Sequence, residues 1–358
     1  MPRRPTRQGG VVCRLAVIFA AIAGAPVLLP AQSSWGIAPI DGDFYLTDLG
    51  RGRVVRLDGR GSIHVVIDDV HCHNLASDHR GRVHGEAVGE GAGGTGGVVS
   101  LWRIAGGRVE RVMGPASEPE PGLWIARDAA GNSYGWMGSG ERLSRIFVRT
   151  PAGDAAVLAG EEWGLEDGSA SEARFAAVGA VAASADGTLY VTDSGHLRRV
   201  SRGGEVETLA RDVVSVRTGG LPGDFGLFNH SVGLAVGAGD TVLIADAYNR
   251  RGVRWRPGHG TDVFRDQASW LSRITGGGLG WSPAGIAFDG GDILVLEAFS
   301  SPRFLASLIG TPRLWRIRPD GSSERLATFA SRPLRIAAAV VPVALALLLM
   351  RSRATKRA

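Results

Sequence analysis

The stretch that decides the fold is GLEDGSASEARFAAVGAVAASADGTLYVTD, residues 164–193. Its second half has two short apolar segments separated by an Asp186-Gly187 turn, and the second segment ends on the carboxylate of Asp193. Apolar segments on either side of such a turn are typical of a β-hairpin. The same order of features returns at residues 231–254, where the second segment ends on Asp246. A pattern that returns after about 50 residues indicates a repeat architecture.

The repeat occurs six times between the two ends of the chain. Each unit begins with a small residue (tryptophan in the third unit), an apolar residue and an alanine, at 36–38, 74–76, 124–126, 180–182, 233–235 and 285–287. The second strand ends on an acid in five units, at Asp48, Glu86, Asp193, Asp246 and Glu297, and on Trp136 in the third. The third strand carries an arginine, at Arg56, Arg103, Arg145, Arg199, Arg254 and Arg316. With a fourth strand closing each unit, residues 32–330 are predicted to form an all-β, six-bladed β-propeller with four-stranded blades.

Two features of the repeating unit have a structural interpretation. We expect the alanines to reflect crowding near the propeller axis, where the inner strands of adjacent blades converge. We expect the six arginines to form salt bridges or hydrogen bonds between neighbouring blades. Neither feature by itself indicates a ligand.

The units resemble the NHL repeats of bacterial exported proteins. The resemblance rests on residues 164–193 and 231–254, which include Ala245-Asp-Ala-Tyr-Asn-Arg250. The chain is more distantly similar to the gluconolactonase-like propellers. The resemblance implies a six-bladed propeller but leaves the activity open, because propellers of this type include ligand-binding modules, lyases and lactonases.

The distribution of charge argues against a nucleic-acid-binding protein. The formal net charge is +5, from 40 basic and 35 acidic residues. Ten of the basic residues lie in segments 1–31 and 332–358, which contain no acid, so the middle of the chain has a net charge of −5. A nucleic-acid binder concentrates positive charge on its folded domain. We therefore expect no nucleic-acid partner.

Residues 1–31 are predicted to be a signal peptide or an uncleaved signal anchor. Four arginines precede an apolar run that ends at Leu29. A basic flank followed by a short apolar segment is typical of an export signal. Leu29 stands where cleavage favours a small residue, so cleavage and anchoring both remain open. Cys13 lies in this segment and Cys72 is the only other cysteine, so we expect no disulfide framework.

Residues 334–350 are predicted to be a transmembrane helix. They include an apolar run, Ile336–Met350, with Arg335 directly before it and Arg351 directly after it. The run is shorter than the roughly 20 residues that span a bilayer, but flanking arginines can extend to the interface. The basic residues of the tail, 351–358, favour a cytoplasmic location for that tail. The sequence therefore predicts a single-pass protein of the cell membrane with its propeller on the extracytoplasmic side.

One face of the predicted propeller carries the long loops. The connections that lead into inner strands and the loops that leave second strands lie on the same side of the ring, which we call the loop-rich face. The longest of these segments are 161–178, 211–230, 265–282 and 298–313. Long loops on a rigid scaffold commonly bind ligands. We expect a protein, carbohydrate or small-molecule ligand at this face.

Histidines and acids near this face are candidate metal ligands. His71 and His73 precede the inner strand of blade two, and His230 precedes that of blade five, on the opposite side of the ring. Together with Glu86 and Asp246 they offer nitrogen and oxygen ligands for a divalent ion, Zn²⁺ or Ca²⁺. The alternative is that the histidines are ordinary solvent-facing loop residues.

Two functions from different classes remain compatible with the sequence. The first is binding or scaffolding through the loop-rich face, without catalysis, and the second is a divalent-metal-dependent hydrolase or lactonase of the gluconolactonase-like type. Peptidyl-hydroxyglycine lyases, which resemble this fold, are disfavoured because Val178 and Ala284 stand where two of their zinc-binding histidines are expected. The glycine-rich segment 91–96 matches a dinucleotide-binding pattern but has no following helix. The sequence names no catalytic residue.

Overall fold

The computed structural model describes residues 36–48, 52–68, 70, 72, 75–78, 81–88, 98–106, 108–113, 126–137, 145–214, 233–247, 249–267, 280–300 and 313–328. The predicted signal segment 1–31, the predicted transmembrane helix 334–350 and the tail 351–358 lie outside these residues. Within them, no helix has the length and apolar character needed to cross a bilayer.

Six four-stranded antiparallel sheets make up the described part of the chain. Blade 1 contains β1 (Ile37–Ile40), β2 (Asp43–Asp48), β3 (Arg53–Leu57) and β4 (Ile63–Ile67). Blade 2 contains β5 (Leu75–Ser77), β6 (Val83–Val88), β7 (Val98–Ala105) and β8 (Arg108–Met113). Blade 3 contains β9 (Ala126–Arg127), β10 (Ser133–Met137), β11 (Arg145–Arg149) and β12 (Ala155–Ala159).

The second half of the ring is built in the same way. Blade 4 contains β13 (Val178–Ala183), β14 (Leu189–Asp193), β15 (His196–Val200) and β16 (Val206–Ala210). Blade 5 contains β17 (Gly233–Val236), β18 (Val242–Asp246), β19 (Arg251–Arg256) and β20 (Gly260–Asp266), with a short 3-10 helix at Ala238–Asp240. Blade 6 contains β21 (Gly280–Asp289), β22 (Asp292–Ser300), β23 (Arg313–Ile317) and β24 (Ser323–Thr328). In each sheet the four strands pair in chain order, which confirms the six-bladed propeller.

The turns between first and second strands follow from local chemistry. In blade 1 the β1–β2 turn has positive φ angles at both Asp41 (51°) and Gly42 (82°). Two such residues match the right-handed twist of a hairpin, and aspartate and glycine tolerate this conformation better than β-branched residues do. The Asp41-Gly42 turn therefore sets the position of the inner hairpin of blade 1.

The repeated alanines lie opposite larger side chains of the second strand. Their partners are Tyr45 for Ala38, His84 for Ala76, Tyr134 for Ala126, Tyr190 for Ala182, Leu243 for Ala235 and Leu294 for Ala287. Directly opposite residues of an antiparallel pair share one face of the sheet. A small inner residue beside a large outer one fits blades that converge toward an axis. The position paired with alanine is tyrosine in three blades but histidine in blade 2.

Apolar side chains hold most neighbouring blades together. One buried cluster joins blade 6 to blade 1, with Leu294 and Leu296 packed against Phe44 and Leu46, and it closes the ring. Four further clusters join blades 1 and 2, 3 and 4, 4 and 5, and 5 and 6. Among the described residues the junction of blades 2 and 3 has no such cluster, and charged side chains meet there instead.

The prediction that the third-strand arginines link neighbouring blades is wrong for five of the six. They form ion pairs within their own blades: Arg56 with Asp43, Arg103 with Glu110, Arg199 with Glu207, Arg254 with Asp262, and Arg316 with Asp289. Glu110, Glu207 and Asp262 lie on the adjacent fourth strands, whereas Asp43 and Asp289 lie beside the turn between the first and second strands, so each arginine finds its partner in its own sheet. Arg316 also lies over the ring of Phe44 in blade 1, 5.5 Å from its centroid.

Blade 6 has longer strands than the repeat predicts. Strand β21 begins at Gly280 and β22 runs to Ser300, so parts of the expected loops 265–282 and 298–313 are paired strand. The guanidinium of Arg250 in blade 5 donates to the carbonyl of Trp281 (3.0 Å), and Arg313 stacks on the Trp281 ring at 3.5 Å. These contacts hold the hairpin extension on the loop-rich face.

Candidate functional site

Four described acids lie at or near the ends of second strands on the loop-rich face. Asp48, Asp193, Asp246 and Glu297 are all buried, with 9%, 0%, 0% and 1% of their surface exposed. Buried carboxylates require charged or hydrogen-bonding partners. Each of the four has an arginine as one partner, at Arg53, Arg198, Arg251 and Arg265 respectively.

In blade 4, Asp193 holds the connection that leads into the inner strand. Its Oδ1 accepts hydrogen bonds from the backbone N–H groups of Ala176 (3.1 Å) and Ala177 (2.7 Å). Its Oδ2 accepts from Nη1 of Arg198 at 2.8 Å. One acid at the end of β14 therefore fixes the backbone just before β13.

Arg198 organises the long connection 161–178. Its fully buried guanidinium donates to the backbone carbonyls of Glu166 and Arg174 and to Oδ1 of Asp167 (2.9 Å). It also lies over the ring of Phe175, 4.7 Å from the centroid. Burial alone would raise the pKa of Asp167, but hydrogen bonds from Thr208 and Arg198 outweigh burial and hold that pKa below its usual value.

The ordered connection presents apolar side chains to solvent. Trp163 is 53% exposed and Leu165 is 37% exposed. The indole N–H of Trp163 donates to the carbonyl of Ala176 at 3.0 Å, which orients the ring. An exposed indole held in one orientation loses little conformational freedom when it contacts a ligand.

In blade 5, Asp246 accepts hydrogen bonds from residues that follow it in the chain. Its Oδ2 accepts from Nδ2 of Asn249 (2.7 Å) and from Nε of Arg251 (2.8 Å), and its Oδ1 accepts from the backbone N–H of Asn249 (3.2 Å). Arg251 in turn donates to the carbonyl of Val213 in the connection from blade 4, at 3.3 Å. Asp246 thus shapes the loop that leaves β18.

In blade 6, Glu297 links two blades. Its Oε1 accepts from Nε of Arg265 (2.8 Å) and from the amide of Gln267, both on the last strand of blade 5 or just beyond it. Its Oε2 accepts from the indole N–H of Trp315 at 2.8 Å. Arg265 also stacks on the Trp315 ring, 4.6 Å from its centroid.

The predicted metal ligands fall largely outside the described part of the chain. His71, His73 and His230 lie outside it, and Glu86 is placed only as a backbone position in β6. Asp246 is the one candidate whose side-chain contacts are described. Within the described ranges no three histidine, cysteine, aspartate or glutamate side chains form a group that could hold a metal ion. The five-residue metal site stays a prediction.

A second polar cluster, at the junction of blades 2 and 3, was not predicted. Nε2 of His84 lies 2.7 Å from Oδ2 of Asp78, which also accepts from Nε of Arg82 at 2.7 Å. Arg103 of β7 is the cross-strand partner of His84, and Arg127 of β9 approaches from blade 3. The sequence signal that could have revealed this cluster is the histidine at a position where three other blades have tyrosine.

The environment of His84 keeps its imidazole neutral. Burial is the largest cause, and with the positive charge of Arg127 it lowers the pKa of His84 to about 4, although the hydrogen bond to Asp78 acts in the opposite direction. An ionised carboxylate only accepts, so Nε2 carries the proton and Nδ1 is an acceptor. Nδ1 is buried and has no hydrogen-bond partner in the structure.

Comparison with known proteins supports the fold alone. No protein-family model and no curated protein matches the chain. Among solved structures, a chain of a nidogen/laminin complex is 16% identical with a TM-score of 0.51, covering 79% of this chain and 92% of that one. A gluconolactonase from Xanthomonas campestris is 15% identical with a TM-score of 0.47, covering 76% and 85%. A streptogramin B lyase is 16% identical with a TM-score of 0.44, covering 82% and 83%.

These neighbours include a gluconolactonase and a lyase as well as a component of a protein complex. Identities this low extend to the six-bladed fold and not to an activity. A predicted gluconolactonase is 12% identical with a TM-score of 0.50, covering 83% of this chain and 91% of that one, and it confirms the expected similarity to gluconolactonase-like propellers at the level of fold. The NHL assignment is compatible with this fold and stays a prediction.

Proposed function

We propose that the protein is a membrane-tethered, extracytoplasmic binding or scaffolding module whose ligand contacts the loop-rich face. One observation carries the preference for binding over metal-dependent catalysis. The buried carboxylates that end the second strands, such as Asp193, Asp246 and Glu297, are bonded to arginines and other donors of the chain itself. A catalytic metal needs carboxylate oxygens that are available to the ion, and an adjacent guanidinium competes with a cation for them.

The ordered connection of blade 4 supports a binding role. Arg198 and Asp193 hold residues 161–178 against the propeller, so this segment is preorganised for contact. Trp163 and Leu165 are exposed on it beside the charged side chains of Glu162 and Arg174, which form an ion pair at 3.2 Å. Exposed aromatic and apolar groups within a charged rim suit a protein or carbohydrate ligand.

The metal content of the purified full-length chain tests this proposal. A binding module is expected to contain far less than one equivalent of zinc or calcium after dialysis against a weak chelator. The matched variant is His71→Ala/His73→Ala/His230→Ala, which removes the predicted nitrogen ligands. About one metal ion per chain in the wild type, lost in the triple variant, would replace the proposal with the metal-dependent hydrolase or lactonase and direct the search to lactone and ester substrates.

The proposed membrane anchor is tested separately, by measuring on which side of the membrane each part of the chain lies. The proposal rests on the apolar segments 1–31 and 334–350 and on the basic tail, as the charge pattern favours a cytoplasmic tail. In intact cells, a cysteine introduced at Arg60→Cys in the exposed blade 1 turn is expected to react with an impermeant thiol reagent, whereas Ser352→Cys in the tail is expected to react only after lysis. Protection of the blade 1 cysteine in intact cells, or recovery of the chain in the soluble fraction, would refute the location.

A further inference from the structure

The ordered connection of blade 4 presents an exposed aromatic side chain to solvent. Trp163 is 53% exposed, and Leu165, two residues further on, is 37% exposed. The other strongly exposed large apolar side chains of the described residues are aliphatic and lie on fourth strands at the rim, at Ile63, Val65, Val109, Val157 and Val263. Trp163 therefore differs from them both in its chemistry and in its place on the loop-rich face.

The protein itself holds Trp163 in position. The indole N–H donates to the carbonyl of Ala176 at 3.0 Å, which orients the ring. Glu166 and Arg174 exchange backbone hydrogen bonds of 3.3 and 3.0 Å, which tie together the two ends of this segment. A ligand that contacts such a preordered surface loses little affinity to the ordering of side chains.

The charge around Trp163 is negative. Segment 161–174 has a single base, Arg174, and five acids, Glu161, Glu162, Glu166, Asp167 and Glu172. The buried guanidinium of Arg198, which pairs with Asp167, adds a second positive charge. Five acids and two bases leave this surface with a net charge of −3.

Two of these acids are available to a further cation. Glu162 and Glu166 share one guanidinium, that of Arg174, at 3.2 and 3.4 Å. Their side chains are 67% and 62% exposed, and that of Arg174 is 40% exposed. Exposed ion pairs of this kind are weak, so the carboxylates can accept a second positive partner.

We propose that the surface formed by Trp163, Leu165, Glu162 and Glu166 binds a basic segment of a protein partner, an inference that rests on the proposed binding role. An arginine or lysine side chain of the partner lies over the indole, the ring with which cations interact most favourably. Its aliphatic stem contacts Leu165, and its charge lies near the two carboxylates. The positive charge of the partner thus balances the excess of acid around Trp163.

Charge distinguishes this partner from a carbohydrate. A neutral sugar can stack on an exposed indole, but it has no charge that interacts with Glu162 and Glu166, so its affinity is independent of them and of ionic strength. A basic segment is attracted by the ring and by the carboxylates, and its affinity falls as salt screens the charges. The exposed acids therefore favour a basic protein segment over a neutral sugar.

The test is a titration of the full-length protein, in non-ionic detergent, into a fluorescein-labelled peptide of alternating arginine and glycine, followed by fluorescence anisotropy. We expect saturable binding that weakens as the salt concentration rises, and no binding of the matching peptide of glutamate and glycine. Absence of saturable binding of the arginine peptide by the wild type overturns the proposal without any variant.

Two variants of Trp163 isolate the contribution of the ring. Trp163→Phe and Trp163→Leu both lose the hydrogen bond to Ala176 and leave the charge unchanged, but only Trp163→Phe keeps a ring. We expect Trp163→Leu to bind the arginine peptide about three- to fivefold more weakly than the wild type, and Trp163→Phe to bind it more tightly than Trp163→Leu. Equal affinities of the two variants would remove the cation from the ring and refute the site.

A pair of double variants isolates the contribution of the carboxylates. Glu162→Gln/Glu166→Gln is expected to weaken binding of the arginine peptide by about tenfold, the value of two exposed ion pairs. The matched control, Glu207→Gln/Glu324→Gln, removes two exposed carboxylates that are also paired with arginines, on outer strands of blades 4 and 6. The control should bind like the wild type, and an equal loss in both double variants would show attraction by net charge alone and contradict the proposal.

A wrong partner can be told apart from a wrong function. Binding of the neutral sugar maltohexaose that is lost in Trp163→Leu, without binding of the arginine peptide, would replace the basic partner with a carbohydrate and keep the binding role. The metal content of the wild type tests that role independently, since it does not depend on Trp163.

Discussion

Replacing His84 by tyrosine should remove a large part of the acid sensitivity of the fold. His84 is buried at the blade 2–3 junction, where burial and the positive charges of Arg127 and Arg82 oppose its protonation and Asp78 favours it. Tyrosine already occupies the matching position in blade 3, where Tyr134 donates to an aspartate of the same turn at 2.8 Å. The variant His84→Tyr can therefore keep a hydrogen bond to the turn but has no group that titrates between pH 4 and 8.

The expected magnitude follows from the two pKa values of the imidazole. The pKa is about 4 in the folded protein, against an ordinary value of 6.5 in an unfolded chain. Because the folded pKa is the lower one, protons bind more readily to the unfolded chain as the pH falls below 6.5, and the folded state loses stability down to about pH 4. At about 1.36 kcal/mol per pKa unit, the loss specific to His84 amounts to about 2.5 kcal/mol between pH 8 and pH 4.5.

The assay is denaturant unfolding of both proteins, followed by tryptophan fluorescence at several pH values between 8 and 4.5. The quantity of interest is the difference between the free energies of unfolding of the wild type and His84→Tyr. Carboxylates that titrate in both proteins cancel in this difference. The reasoning is refuted if the difference is constant across the pH range, since the imidazole would then have the same pKa in the folded and unfolded states.

Two further predictions concern buried contacts of single residues. Arg198→Met should lower the free energy of unfolding by about 3–5 kcal/mol, because it leaves the buried carboxylate of Asp193 without its charge partner. The control Arg199→Met removes an exposed ion pair and should lower that free energy by less than about 1 kcal/mol. Similar losses in the two variants would contradict the central role of Arg198. Gly85→Ala places a Cβ atom against the indole of Trp102 and should lower the free energy of unfolding by about 1–3 kcal/mol. The control Gly59→Ala, whose Cβ atom would have no neighbour closer than 3.7 Å, should leave the thermal unfolding temperature nearly unchanged. A Gly85→Ala protein as stable as the wild type would contradict the packing described.

The hairpins of the repeat could be predicted because they depend on neighbours in the chain. The Asp-Gly turns and the alternation of small and large residues are local signals, and the strand limits Ser323–Thr328 follow from them directly. The long pairing of β21 and β22 was not predicted, because Arg250 and Arg313 hold that extension through contacts with Trp281 from elsewhere in the chain.

The acids of the loop-rich face were also predictable only in part. Their positions at the ends of second strands were evident from the sequence, but their partners were not. Glu297 accepts from Arg265, 32 residues earlier in the chain, because the last strand of one blade ends near the second strand of the next. An acid in a repeat is equally compatible with a metal ligand and a structural clamp until its neighbours in space are known.

The sequence by itself determined the number of blades, the four-stranded unit and the alanine positions, since each is set by periodicity and by residues a few positions apart. Only the tertiary structure decided which arginines meet which carboxylates, and that the described residues at the junction of blades 2 and 3 are charged and form no apolar cluster of the kind found at the other five junctions. The physical reason is that hydrogen bonding and burial depend on distances between residues far apart in the chain. His84 illustrates this: in the sequence it is one of eight histidines, and its neutral state arises from burial and from Arg127 of the next blade, which together outweigh the opposite effect of Asp78.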